Sequence, residues 1–78
     1  MGRVSLSSGD VETYLCIEEL IAKKGYPPTY RDIGNELGIS LTAVRARLSR
    51  LEQRGYISRI YRGHRSIAML KPIIASFD

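Results

Sequence analysis

The chain predicts a mainly α fold with a small β-hairpin, three helices followed by two short strands, on three observations. Residues 40–54, SLTAVRARLSRLEQR, repeat their apolar positions at the helical period. At about 100° per residue, Val44, Leu48 and Leu51 fall within roughly 60° of one another. Just before them, Leu37-Gly38-Ile39-Ser40 has the chemistry of a tight joint between helices. Gly38 takes the positive φ that ends one helix, Ile39 drops into the core, and Ser40 caps the next. Beyond Gly55 the apolar period shortens to about two residues. Tyr56-Ile57-Ser58-Arg59-Ile60-Tyr61 and Ser66-Ile67-Ala68-Met69-Leu70 then read as strands around the basic turn Arg62-Gly63-His64-Arg65.

The elements follow in order. Residues 1–7 form a polar, frayed N-terminus from which Leu6 can staple the first helix. Ser7 or Ser8, with Asp10 in the first turn, starts a helix over about 9–24. Its inward face is Tyr14, Ile17 and Ile21, with Thr13 and Leu20 at the margin, while Val11 and Leu15 lie on another side. Lys23 and Lys24 suit the negative helix end, and Gly25 closes it. Pro27 and Pro28 prevent the helix from running on. Thr29, with Asp32 three residues later, is a capping box that opens a second helix at about Tyr30. Ile33 and Leu37 are its buried pair, and Gly34 lets a neighbouring helix approach closely. The third helix runs over about 40–54 and stops at Gly55. A two-stranded hairpin is not stable alone, so this one must lean on the helices through Ile57, Ile67 and Met69. Helix, helix, helix, hairpin is the winged helix-turn-helix plan, assigned here to residues 8–70. The tail, 71–78, is more apolar than a dangling end; it packs along the domain, pairs with another chain, or begins a longer protein.

At 78 residues there is room for one domain only. A hydrophobic fraction of 44% with 26% charged residues separates the chain from disordered segments. No apolar run approaches the ~20 residues of a membrane span, and the N-terminus lacks a secretory core, so a cytoplasmic location is expected. A single cysteine, Cys16, excludes an internal disulfide and reads as a small buried residue of the first helix.

Charge is distributed unevenly. Residues 1–39 carry four basic and six acidic side chains, whereas residues 40–65 carry seven arginines against Glu52 alone. Every basic group in that block apart from His64 is an arginine, whose planar fork matches phosphates and guanine edges. On the third helix the side opposite the apolar seam holds Thr42, Ala46, Ser49 and Gln53, flanked by Ala43 and Arg50 and by Arg45. Small residues bordered by arginines suit a helix that lies against an anionic surface. The expected surface is the major groove of double-stranded DNA.

Two stretches carry a family resemblance. Gly25-Tyr26-Pro27-Pro28-Thr29-Tyr30-Arg31-Asp32-Ile33, running into Leu37-Gly38, resembles the N-terminal DNA-binding domain of LexA-type repressors, in which a Gly-x-Pro-Pro-Thr loop opens the second helix. Residues 37–57, LGISLTAVRARLSRLEQRGYI, resemble the wider winged-helix pattern of bacterial regulators. The resemblance implies base reading by Thr42, Ala43, Arg45 and Ala46. It implies phosphate contacts at the helix start Thr29, Tyr30 and Arg31, at Arg47 or Arg50, and at Arg65; Ser40, at the start of the third helix, is a further phosphate candidate. Repressors of this type also carry a self-cleaving serine protease domain with a Ser–Lys pair. Nothing in the eight residues after the hairpin supplies one, so a small stand-alone repressor or an excised domain is expected.

Within that frame, Arg45 is the expected guanine contact and Thr42 and Ala43 lie near enough for a thymine methyl or the backbone. Arg50 and Arg47 are expected to clamp phosphate, and Arg62, His64 and Arg65 to reach the minor groove as the wing. One domain this small covers few base pairs, so a homodimer on two half-sites is expected, with the tail from Pro72 as the contact. One His, one Cys and scattered acids supply no metal cluster, nucleophile–base pair or phosphate cradle, so neither an enzyme nor a cofactor is expected. No pocket for a small-molecule effector is evident in so small a core. The rival reading is a winged helix used for protein interaction or oligomerisation, resting on Val11, Leu15 and the apolar tail.

Overall fold

The computed structural model describes residues 6–59 and 67–73. The elements are α1 (Ser8–Lys24), α2 (Tyr30–Leu37), α3 (Leu41–Gln53), β1 (Ile57–Arg59) and β2 (Ile67–Met69). This is the expected order of a winged helix-turn-helix. The strands pair antiparallel with Ile57 opposite Met69, Ser58 opposite Ala68 and Arg59 opposite Ile67. The ladder continues one step as the Leu70 amide donates to the Tyr56 carbonyl at 2.9 Å.

Each helix begins where its capping chemistry placed it. Ser7, not Ser8, caps α1: its Oγ accepts from the Asp10 amide at 3.1 Å while the Ser7 amide donates to Asp10 Oδ2. Thr29 and Asp32 form the same reciprocal box at α2, with both bonds at 3.0 Å. Ser40 caps α3 by accepting from the Ala43 amide at 3.1 Å. Such caps satisfy amides that the first helical turn leaves without intrahelical partners. In the α2–α3 turn Gly38 has φ 69°, and the Ile39 amide donates to the Gly34 carbonyl at 3.0 Å. A Cβ on Gly34 would lie 3.0 Å from the Ile39 carbonyl oxygen and 3.5 Å from Val44 Cγ2, so the close approach expected of Gly34 is present. At its other end α3 is capped by Arg54, and Gly55 follows with φ 79°.

The core joins Ile17, Leu20 and Tyr14 of α1, Ile33 of α2, Val44, Leu48 and Leu51 of α3, and Ile57 and Ile67 of the strands. The three-residue seam of α3 is wholly buried. The α1 stripe is rotated from the expected one. Thr13 and Leu20 are buried and Ile21 only half-buried, because α1 packs on both α2 and α3 and its covered face is broad enough to include Cys16. The hairpin leans on the helices as expected, with Ile57 and Ile67 buried and Met69 packed at the core margin. Of the tail, Ile73 packs against the core, and Tyr14 Oη donates to the Lys71 carbonyl at 2.8 Å. The Tyr14 and Tyr56 rings meet edge to face, and Lys71 Nζ sits 4.5 Å above the Tyr56 ring. The start of the tail therefore lies along its own domain; residues 74–78 lie outside the described part of the chain.

Candidate nucleic-acid interface

The seam of Val44, Leu48 and Leu51 fixes the rotation of α3, and the opposite side faces outward by geometry alone. Thr42, Arg45 and Ala46 are exposed and Ala43 is half-buried, so the four residues nominated for base reading occupy the first turns of one helix. Arg45 makes no hydrogen bond or ion pair with any described residue. Arg31, exposed in the first turn of α2, is equally without a partner among the described residues.

The other arginines of the block differ. Arg50 Nε lies 2.9 Å from Asp10 Oδ2 and 3.1 Å from Oδ1, although half of its side chain remains exposed. Burial alone would raise the Asp10 pKa, but the Arg50 guanidinium and the Ser7 cap outweigh it and hold the carboxyl below its ordinary value. Arg47 lies against the start of α1. Its Nη1 donates to the Gly9 carbonyl at 3.2 Å and to Thr13 Oγ1 at 3.4 Å, and it stands 3.5 Å from Glu12. Of the two α3 arginines nominated for phosphate, Arg47 is thus turned toward α1. Arg50 keeps two Nη groups that bond to no described residue.

Arg59, for which sequence reasoning had no role, is the most deeply placed of these ion-paired arginines, with 9% of its side chain exposed. Nε and Nη2 donate to Glu52 Oε1 at 3.1 and 2.9 Å, Nη2 also reaches Ser49 Oγ at 3.3 Å, and Nη1 donates to Tyr30 Oη at 3.1 Å. Burial works against this charge; Glu52 and Tyr30 more than offset it, and the guanidinium pKa is raised. Tyr30, nominated as a phosphate-binding hydroxyl, therefore already accepts one hydrogen bond. The hydroxyls of Thr29 and Ser40 serve as helix caps. The nominated wing residues Arg62, His64 and Arg65 lie outside the described residues.

No helix among the described residues is long and apolar enough to cross a membrane. Leu15 is 47% exposed, while Val11 is half-buried.

The chain is similar to the LexA repressors of Staphylococcus aureus strains Mu3 and Mu50, each 44% identical over 55 residues. The match covers 69% of this chain and 27% of each repressor, so the chain spans about a quarter of the length of these relatives. The LexA DNA binding domain family matches residues 5–66. Three capped helices, an antiparallel hairpin and a family match over most of its length make this chain a member of the LexA DNA binding domain family.

Proposed function

We propose that this chain binds double-stranded DNA in a sequence-specific manner and acts in the cytoplasm as a transcriptional repressor, with α3 in the major groove. The carrying observation is that α3 buries Val44, Leu48 and Leu51 completely and exposes Thr42, Arg45 and Ala46 on its far side. A shallow front edged by a guanidinium that bonds to no described residue suits a groove lined with acceptors and phosphates. Arg45 is assigned a guanine O6/N7 pair, and Thr42, Ala43 and Ala46 the neighbouring base edges or thymine methyls. Phosphate contacts are assigned to Arg31 and Tyr30 at the start of α2, to Thr29 and Ser40 through the backbone around their caps, and to the outer nitrogens of Arg50. Arg62, His64 and Arg65 are assigned to the backbone or minor groove, and Arg47 to holding α3 against α1. A homodimer on two half-sites about one helical turn apart is the proposed assembly.

Selection of sites from random duplexes, followed by titration across salt concentrations, tests the reading. A recurring two-fold symmetric site should emerge, and log K should fall with log salt at about 0.9 per phosphate neutralised. No enrichment together with a flat salt response would overturn it. Sedimentation with and without the selected duplex counts the subunits.

A further inference from the structure

We infer that Arg59 is a positioning residue for DNA binding: it orients the Tyr30 hydroxyl as a hydrogen-bond donor to a phosphate and does not itself touch the nucleic acid. The inference rests on the DNA-binding reading above and assigns one contact within it.

Geometry separates Arg59 from the arginines that can meet a ligand. Its side chain is 9% exposed, and Glu52 takes both Nε and Nη2. A guanidinium so enclosed has lost the open fork that phosphate requires. What it does reach is informative. The network spans three elements: Tyr30 is the first residue of α2, Ser49 and Glu52 lie on α3, and Arg59 ends β1. Ser49 belongs to the outward side of α3, so the guanidinium sits at the margin of the proposed groove-facing surface, with the Tyr30 oxygen 3.1 Å from it.

A phenol has one hydrogen and two lone pairs. Because Arg59 can only donate, Tyr30 Oη must accept in this bond, and its own hydrogen is left to point elsewhere. Tyr30 is half-buried rather than enclosed, so that hydrogen can be offered to an outside acceptor. A cation on the oxygen's lone pair also polarises the O–H bond and strengthens it as a donor. Arg31, exposed one residue later and without a partner among the described residues, adds a full charge at the same helix start. Glu52 holds the guanidinium in place and is the second member of the support.

Double-mutant cycles test this, with affinity for the selected duplex measured in Tyr30→Phe, Arg59→Lys, Glu52→Gln and the two pairs that include Tyr30→Phe. Tyr30→Phe and Arg59→Lys should each weaken binding about ten- to a hundredfold, the scale of one hydrogen bond to a charged group. Arg59→Lys or Glu52→Gln added to Tyr30→Phe should cost no more than about twofold further. The cycle also cancels any general effect of changing Glu52's charge, which acts alike in both backgrounds. Arg59→Met should leave the salt slope unchanged, since a lost phosphate contact would lower it by about 0.9. Losses that multiply in the pairs, a reduced slope, or a silent Tyr30→Phe would overturn the inference while leaving DNA binding intact. If the unaltered chain binds no duplex, both readings fall together. Arg59→Lys keeps the charge and guards against a methionine variant that does not fold.

Discussion

The two halves of α3 carry similar residues and put them to different use. In the first half Thr42, Arg45 and Ala46 are exposed, and Arg45 is held by nothing described. In the second half Arg47 and Arg50 reach α1, while Ser49 and Glu52 grip Arg59 of β1. One half is left open and the other fastens the helix to its neighbours on both flanks. A count of arginines therefore overstates the surface available to phosphate, because part of the positive charge is spent inside the protein. The fastening also gives the open half a fixed orientation, without which groove-reading side chains would not be held in register.

The comparison breaks most visibly at the seam the two halves share. Leu48→Ala removes a fully buried side chain and should cost about 2–5 kcal/mol, measured by urea unfolding, with DNA binding lost as the fold is lost. Next in size, Arg45→Ala should reduce discrimination between the selected site and its variants by about 1–3 kcal/mol, with stability changed by no more than about 0.5 kcal/mol. Arg31→Ala should instead weaken all sequences alike and lower the salt slope. A uniform loss in Arg45→Ala would remove its base-reading role.

Asp10→Asn probes the fastened half. It weakens both the α1 cap and the tie to Arg50, and should lower stability by about 1–2 kcal/mol with sequence preference unchanged. Its pH dependence has a definite sign. The Asp10 pKa is lowered in the folded chain, so its ionised form stabilises the fold above the ordinary value of 3.8. That contribution disappears as pH falls below 3.8 through the depressed folded value. Thermal unfolding of the two proteins should therefore differ most near neutrality and converge in strong acid. The smallest effect concerns Cys16, whose thiol is pushed up to about 11, first by burial and then by the nearby acids Glu36, Glu19 and Glu12. At pH 8 an aromatic disulfide reagent should label it slowly in the native chain and rapidly in denaturant. Faster native labelling in Asp10→Asn would show that loosening the α1–α3 tie opens this side of the core.

Much of the fold was legible because its signals are local. Capping residues and the amides they satisfy lie three positions apart, as in Ser7 with Asp10 and Thr29 with Asp32. Gly38 ends α2 through its own φ. The open half of α3 was legible for the same reason, since Val44, Leu48 and Leu51 dictate which residues face away. The rotation of the α1 stripe was less so. Periodicity gives the direction of one apolar face, but not that two neighbouring helices will cover it from different sides.

By itself, then, the sequence determined the order of elements, where each helix begins and ends, and the outward placement of Thr42, Arg45 and Ala46. Only the tertiary structure decided which arginines remain available. Asp10 and Arg50 are 40 positions apart and Tyr30 and Arg59 are 29 apart, and nothing local in either pair announces the other. Caps and turns depend on torsions within a few residues, whereas an ion pair or a hydroxyl's polarity depends on how separate elements meet. That meeting is set by packing of the whole core, and it converts several arginines of one basic block into internal ties.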